Sequence, residues 1–354
     1  MKLMTPYHPP WYLRNSLVQT IFASYVYGKI WQRQKERSPW LAKFPLIPWQ
    51  EHCFSGFRDV PLWGLWSCPP GAKGTMIITY GITGDLETAW YARTLARKAY
   101  ARGWAVLVYD WRSHGKSGEL SPVPSSDGWH EGFDLVKLAE QLVQLGCPPH
   151  VALTGFSLGG QLSLWGLKAA REEKCPYIQT AAVLSPNLES NRSLTYLVQT
   201  PIGRIIEGIL ARELYQAAKL RGDRFPESTK SEAIERVDSI RAFDREMVID
   251  YYGFATVEDY YYQTSGLYLL DKIDLPYLLV YDGEDPLFDP TLVPEIQQRT
   301  NQNPQAHLLL APQGGHVSHL STQTKQEDQF WGLNRLLEFC EEFRDLGKCE
   351  DKEI

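Results

Sequence analysis

The sequence predicts an α/β fold: a mostly parallel central sheet flanked by helices, with a helical cap inserted between strands six and seven. Three observations carry this. Apolar, β-branched runs alternate with helically spaced segments from Thr75 to Leu184. The alternation stops near Pro186, and residues 188–272 read as helical, charged and rich in tyrosine. It resumes at Tyr277. Strands alternating with helices mean βαβ units, right-handed crossovers and a parallel sheet.

Each element follows from its local pattern. The chain has 354 residues, 44% of them hydrophobic, enough for one large core plus an insertion. Residues 1–50 read as an irregular N-terminal extension rich in Pro and Trp, with one helical stretch near Ser16–Tyr25. Residues 51–187 and 273–346 form the expected core. His52–Phe57 and Val60–Ser67 alternate around a polar turn, as a β-hairpin does. Thr75–Tyr80, Trp104–Asp110, Val151–Phe156, Ile178–Leu184, Tyr277–Tyr281 and His307–Leu310 are the remaining predicted strands. Helical spacing covers Leu86–Arg102, Glu131–Leu145, Leu158–Arg171, Pro290–Arg299 and Gln326–Leu346. The mixed-charge tail beyond is expected to fray.

Bulk properties narrow the function. A formal charge of −6 gives no global attraction for nucleic acid or anionic lipid, so neither partner is expected. Met1–Tyr12 lacks the apolar core of a signal peptide, and Leu17–Tyr27 is too short to span a bilayer. A soluble cytoplasmic protein is the expectation. The six cysteines form no CxxC pair and read as scattered thiols in a reducing compartment. No metal and no cofactor are expected.

The chemistry concentrates at Gly155-Phe156-Ser157-Leu158-Gly159, a G-x-S-x-G string. Its serine falls between a predicted strand and a predicted helix, the position of a nucleophile elbow. Glycines on either side let strand and helix approach, and the turn exposes the hydroxyl at the positive end of a helix. A serine hydroxyl needs a base to remove its proton. Gly314-Gly315-His316 follows one strand end, and Asp282-Gly283-Glu284-Asp285 follows another. His316 is the candidate base, because its glycine-rich loop can bring the ring over the serine. His319 makes a metal pair with it conceivable, but no carboxylate or thiol stands at ligand spacing nearby. Asp285, Asp282, Glu284 and Asp289 are the candidates for the acid, and place in the loop together with the resemblance given below favours Asp285. The developing oxyanion needs two backbone N–H donors. Leu158, directly after the serine, and Ile82, in the glycine-rich loop Tyr80–Gly84, are the candidates.

Together with Asp110-Trp111-Arg112-Ser113-His114-Gly115, these motifs resemble the α/β-hydrolase superfamily. Pro9-Pro10-Trp11-Tyr12-Leu13-Arg14-Asn15 and Val18-Gln19-Thr20-Ile21 resemble the N-terminal motif of its YheT-like branch, and Phe243-Asp244, Gly253-Phe254 and Asp259-Tyr260-Tyr261 resemble the helical insertion of that branch. The resemblance implies an α/β-hydrolase fold, a Ser157–Asp285–His316 triad, and an esterase or lipase acting on a small-molecule acyl ester. It also allows an acyltransferase on the same triad. Two positions depart from the pattern: Tyr80-Gly81 stands where the family usually has His-Gly, and Leu17 where a histidine is common.

The cap is expected to set specificity. Ile205, Ile206, Ile209, Leu210, Leu214 and Leu220 form an apolar stripe, and Tyr251, Tyr252, Phe254 and Tyr260–Tyr262 add aromatic surface. Packing of the cap onto the core accounts for both. A second reading is an apolar acyl tunnel with tyrosine hydroxyls at its polar end. A membrane-docking lid is a third. The expected activity is carboxylic-ester hydrolysis, with medium-chain or lipid-type esters as the suggested class. A non-catalytic scaffold of the same fold is the alternative from a different class.

Overall fold

Runs such as Met76-Ile77-Ile78, Val106-Leu107-Val108 and Leu278-Leu279-Val280 are short, apolar and without a polar face, as strands covered on both sides are. The computed structural model describes residues 5–350 and places these runs at the centre of an eight-stranded sheet. The strands are β1 (Gln50–Ser55), β2 (Pro61–Ser67), β3 (Gly74–Thr79), β4 (Trp104–Tyr109), β5 (Val151–Phe156), β6 (Ile178–Leu184), β7 (Tyr277–Asp282) and β8 (Ala306–Ala311). Their spatial order is β1-β2-β4-β3-β5-β6-β7-β8. The β1–β2 hairpin pairs antiparallel and joins β4 antiparallel; every other pairing is parallel. All residues of β3, β4, β5 and β7 are buried. Edge strand β8 is mostly half-buried. The expected fold class and its eight strands are therefore present.

The order reverses at β3, which pairs with β4 on one side and β5 on the other. Chains leaving the two strands part there and open a crevice at their carboxyl ends. The β3–β5 register sets Thr79 opposite Gly155. Tyr80-Gly81 therefore emerges beside Phe156-Ser157.

The helices are α1 (Ser16–Phe22), α2 (Gly28–Gln34), α3 (Trp90–Ala101), α4 (Gly115–Leu120), α5 (Trp129–Gln144), α6 (Leu158–Glu172), α7 (Ser190–Leu197), α8 (Pro201–Arg224), α9 (Ser231–Glu235), α10 (Ile240–Met247), α11 (Ile249–Tyr252), α12 (Val257–Thr264), α13 (Leu292–Gln302) and α14 (Trp331–Glu350). Helices α7–α12 lie between β6 and β7. They share a small apolar cluster that includes Ala218, Met247, Val257 and Tyr260, separate from the main core. Hydrogen bonds hold this insertion over the sheet. Trp165 Nε1 donates to Thr264 O (2.8 Å), Tyr252 Oη to Pro124 O (2.6 Å), and Gly266 N to Gln161 Oε1 (2.9 Å).

Several boundaries differ from the sequence expectation. The helical stretch expected near Ser16–Tyr25 is present and runs further: α1 continues through a π-helical turn (Ala23–Tyr27) into α2, which ends at Gln34. Gly28 keeps helical dihedrals there. The roughly 1 kcal/mol cost of a mid-helix glycine is outweighed by burying Ala23 and Trp31. Helix α3 starts at Trp90 rather than Leu86, because Asp85 Oδ1 accepts from Glu87 N and Thr88 N and folds those residues into a turn. Helix α14 starts at Trp331 rather than Gln326. Buried Asp328 is drawn to Lys98 Nζ (2.6 Å), and Thr324 Oγ1 caps Glu327 N, which fixes a non-helical approach. Helix α14 then continues past Leu346 to Glu350; the rest of the tail expected to fray lies outside the described residues. Helix α4 was not expected at all. No helix among the described residues is long and apolar enough to cross a membrane.

A buried ion pair joins the hairpin to the parallel sheet. Arg112, just beyond β4, donates to both carboxylate oxygens of Asp134 on α5 and to Phe57 O (2.7 Å), and Asp134 Oδ1 accepts from Phe57 N. Both side chains are 1% exposed. Arg112→Ala would leave a buried carboxylate uncompensated. The expected loss is about 3–5 kcal/mol, read by urea unfolding; a loss below about 1 kcal/mol would contradict the pair's role.

Candidate active site

Ser157 occupies the turn between β5 and α6 at φ 52°, ψ −125°. That left-handed conformation is costly for any residue with a side chain and persists only where its surroundings enforce it. The glycines supply the enforcement. A Cβ on Gly155 would overlap Gly159 O, and one on Gly159 would overlap Tyr80 O and Thr79 O. Only bare backbone lets β5, α6 and the β3 loop meet this closely. Leu158 is the first residue of α6, so its N–H is one of the helix's unpaired amides.

His316 lies across the crevice. Its Nε2 is 3.0 Å from Ser157 Oγ, and its Nδ1 is 2.8 Å from Asp285 Oδ2. With Nδ1–H donated to the carboxylate, Nε2 is left to accept the serine hydroxyl. Phe288 packs edge-on against the ring at 5.0 Å. The three residues singled out from sequence thus form one hydrogen-bonded chain.

The rival carboxylates are elsewhere. Glu284 is exposed. Asp289 Oδ1 accepts from Thr291 N (2.8 Å) ahead of α13. Asp282 is fully buried but faces backbone: it accepts from Glu284 N (3.0 Å), Gln313 N (3.1 Å) and Gly315 N (2.6 Å). It fastens the aspartate loop to the histidine loop without touching the imidazole. No metal-binding group of histidine, cysteine or carboxylate side chains forms around His319 and His316 among the described residues. His319 is fully buried beside Tyr7 and Trp331, and burial lowers it to about 4.

Two contributors were missed as site residues although the N-terminal motif contains them. Thr20 Oγ1 accepts from His316 N (2.7 Å). Gln19 Oε1 accepts from Leu320 N and from Tyr7 Oη (3.0 Å), while its Nε2 donates to Gln313 O (3.0 Å) and Leu13 O (2.8 Å). Helix α1 therefore braces the histidine loop from both ends. The place of Gln19 and Thr20 inside the N-terminal motif was the available signal.

The β3 loop brings Ile82 to the serine. A Cβ on Gly81 would stand 3.0 Å from Ser157 Cβ, so only glycine fits without a shift. Gly81 N donates to Tyr91 Oη (3.1 Å), Thr83 N to His114 Nε2 (3.3 Å), and Gly84 N to Gly81 O (3.3 Å). Among the described residues, Ile82 N has no such acceptor. His114 stays neutral to receive its bond, since burial lowers it to about 4. Tyr80 turns its side chain away from the crevice. Its hydroxyl donates to Asp110 Oδ1 (2.7 Å), whose carboxylate also accepts from Leu86 N and Lys116 N. Burial pushes Asp110 up to about 6, against those hydrogen bonds. The Tyr80 departure thus leaves only backbone facing the serine.

A cavity of about 80 Å³ opens above Ser157, Ile82 and Leu158. Leu197 and Leu210 of the insertion and Phe288 of the core supply apolar wall; Tyr261 and Asp244 supply polar wall. The expected apolar stripe divides: Leu210 reaches the cavity, Leu214 is buried, and Ile205, Ile209 and Leu220 are exposed.

The α/β hydrolase family profile matches residues 81–327. A Synechocystis sp. protein bearing an esterase name is 38% identical over 355 residues, covering 94% of each chain. The Escherichia coli protein YheT, also named as an esterase, is 24% identical over 280 residues, 78% of this chain and 79% of its own. An esterase of Pyrococcus furiosus superposes with a TM-score of 0.54 at 19% identity, over 84% of this chain and 90% of its own, a likeness of fold. The chain belongs to the α/β-hydrolase family, in its YheT-like branch.

Proposed function

We propose that this protein hydrolyses carboxylic acyl esters through an acyl-enzyme on Ser157. The observation that carries the reading is the unbroken Ser157–His316–Asp285 chain at the carboxyl ends of β5, β7 and β8, beneath a largely apolar cavity. The esterase names of the relatives agree with it.

The steps follow from the geometry. His316 Nε2 takes the hydroxyl proton as Ser157 Oγ bonds to the ester carbonyl carbon. The carbonyl electron pair moves onto oxygen, where the N–H groups of Ile82 and Leu158 receive it. Asp285 keeps the imidazole in the required tautomer and stabilises the imidazolium. Collapse breaks the acyl carbon–oxygen bond, and the alcohol leaves with the proton from His316. Water then adds to the acyl-enzyme, giving its proton to His316; the carboxylic acid departs and Ser157 regains its hydrogen. Residues 188–272 act as the specificity cap, and the extension, residues 1–50, acts as a brace on the histidine loop.

A fluorophosphonate probe should label the wild type and leave Ser157→Ala unlabelled. Equal labelling of both, or none of the wild type, overturns the reading. Asp285→Asn should reduce kcat by about three to four orders of magnitude with folding retained, as loss of the orienting carboxylate does. Asp282→Asn should instead lower the melting temperature, with the smaller effect on kcat. Steady-state kinetics beside thermal denaturation separates the two, and the reverse ranking would assign the acid to Asp282.

A further inference from the structure

The cavity above Ser157 has a polar wall that the acyl-transfer steps do not use. Asp127, from the loop before α5, and Asp244, on α10, both line it, and each is 8% exposed. One comes from the core and the other from the insertion. Neither makes an ion pair among the described residues. Asp244 Oδ2 accepts the Tyr261 hydroxyl. Asp127 has its backbone pinned: its N–H donates to Ser125 Oγ (3.2 Å) and its C=O accepts from Gln161 Nε2 (2.8 Å).

A third polar group faces the same space. Ser193 lines the cavity, is 3% exposed, and its Oγ has no hydrogen-bond partner among the described residues. A buried hydroxyl without a partner carries a desolvation cost that a ligand group can relieve. Two carboxylates and a free hydroxyl on one wall of an otherwise apolar cavity are the few placed polar groups by which a pocket fixes a ligand's orientation.

The sign of the wall selects the ligand. Burial pushes Asp244 up to about 7, and burial together with the Asp244 charge pushes Asp127 well above the usual carboxylate range. Both shifts favour the protonated form, and each carboxyl group keeps at least one oxygen able to accept a hydrogen bond. An anionic group would be repelled, and a plain hydrocarbon would leave the wall unsatisfied.

We propose that this wall is a subsite for a hydrogen-bond-donating group, hydroxyl or ammonium, carried by the ester. The inference rests on the esterase reading and refines it. Donor-bearing esters are the preferred substrates, and Asp127, Asp244 and Ser193 set that preference. A purely structural role, tying the insertion to the core, would not change the ranking of substrates.

The experiment compares kcat/KM on umbelliferyl esters of hexanoate, ω-hydroxyhexanoate, ω-aminohexanoate and monoadipate. Hexyl acetate and ω-hydroxyhexyl acetate probe the alcohol side. On one side of the ester the wild type should prefer a donor-bearing ester over its plain counterpart by roughly ten- to a hundred-fold, the effect of a hydrogen bond to a charged group, with the adipate ester poorest. The hydroxyl and amino arms identify which donor is taken. Asp127→Asn, Asp244→Asn and the mild Ser193→Ala should each shrink that ratio. Turnover of plain esters with wild-type ratios near one on both sides overturns the subsite and leaves the esterase reading intact. So does a ratio unchanged in all three variants. No turnover of any ester, with no fluorophosphonate label, overturns both.

Discussion

The site depends on one backbone constraint, the left-handed turn at Ser157. Holding a serine at φ 52° costs of order 1–3 kcal/mol, so the surrounding structure has to over-determine it. Strand β5 is buried on both faces and α6 is buried along most of its length, which fixes the two ends of the turn. Gly155 and Gly159 let those ends close without a side chain between them. The same turn starts α6 directly after the serine, so a reactive oxygen and an unpaired amide are supplied by adjacent residues. A relaxed turn would separate them and move Oγ out of line with His316.

The remaining groups come from loops far apart in the chain, and loops are ordinarily the mobile part of a fold. Here backbone hydrogen bonds replace mobility with cross-bracing. The single carboxylate of Asp282 gathers three amides from the β7 and β8 loops. Gln19 and Thr20 then tie the histidine loop to α1. Asp110, through the Tyr80 hydroxyl, and His114, through Thr83 N, hold the β3 loop from below. None of these residues needs to meet substrate. Their work is to keep a 3.0 Å and a 2.8 Å contact aligned across about 160 residues of intervening chain.

This division explains what was legible in the sequence. Period and composition report burial, so the doubly covered strands and the strand–turn–helix around Ser157 could be read directly. The order of Ser157, Asp285 and His316 could be read because each follows a strand. Asp285 and Asp282 could not be separated by pattern alone. Asp282 ends β7 and Asp285 follows three residues later, and which of them meets the imidazole depends on the path of a second loop. Thr20 gave no chemical signal, because a threonine in a helix has many uses and its partner lies 296 residues away. The α1–α2 run was cut short at Tyr25 for a related reason: the burial of Trp31 that carries the helix on through Gly28 is a tertiary fact. Tyr80 read as a departure at the site because sequence gives a position and not the direction of a side chain.

The walls of the cavity come from both sides of the seam between core and insertion, so its lining lies beside the attachment of α7–α12. Gln161 shows the economy of this. One amide oxygen accepts from Gly266 N where the chain returns from the insertion, and the amide nitrogen donates to Asp127 O beside the cavity. A change in how the insertion sits would therefore move the polar wall relative to Ser157 while leaving the Ser157–His316–Asp285 chain, built wholly on core strands, in place. On the proposed function, reactivity would belong to the sheet and substrate choice to the seam, since no hydrogen bond of the Ser157–His316–Asp285 chain passes through the insertion.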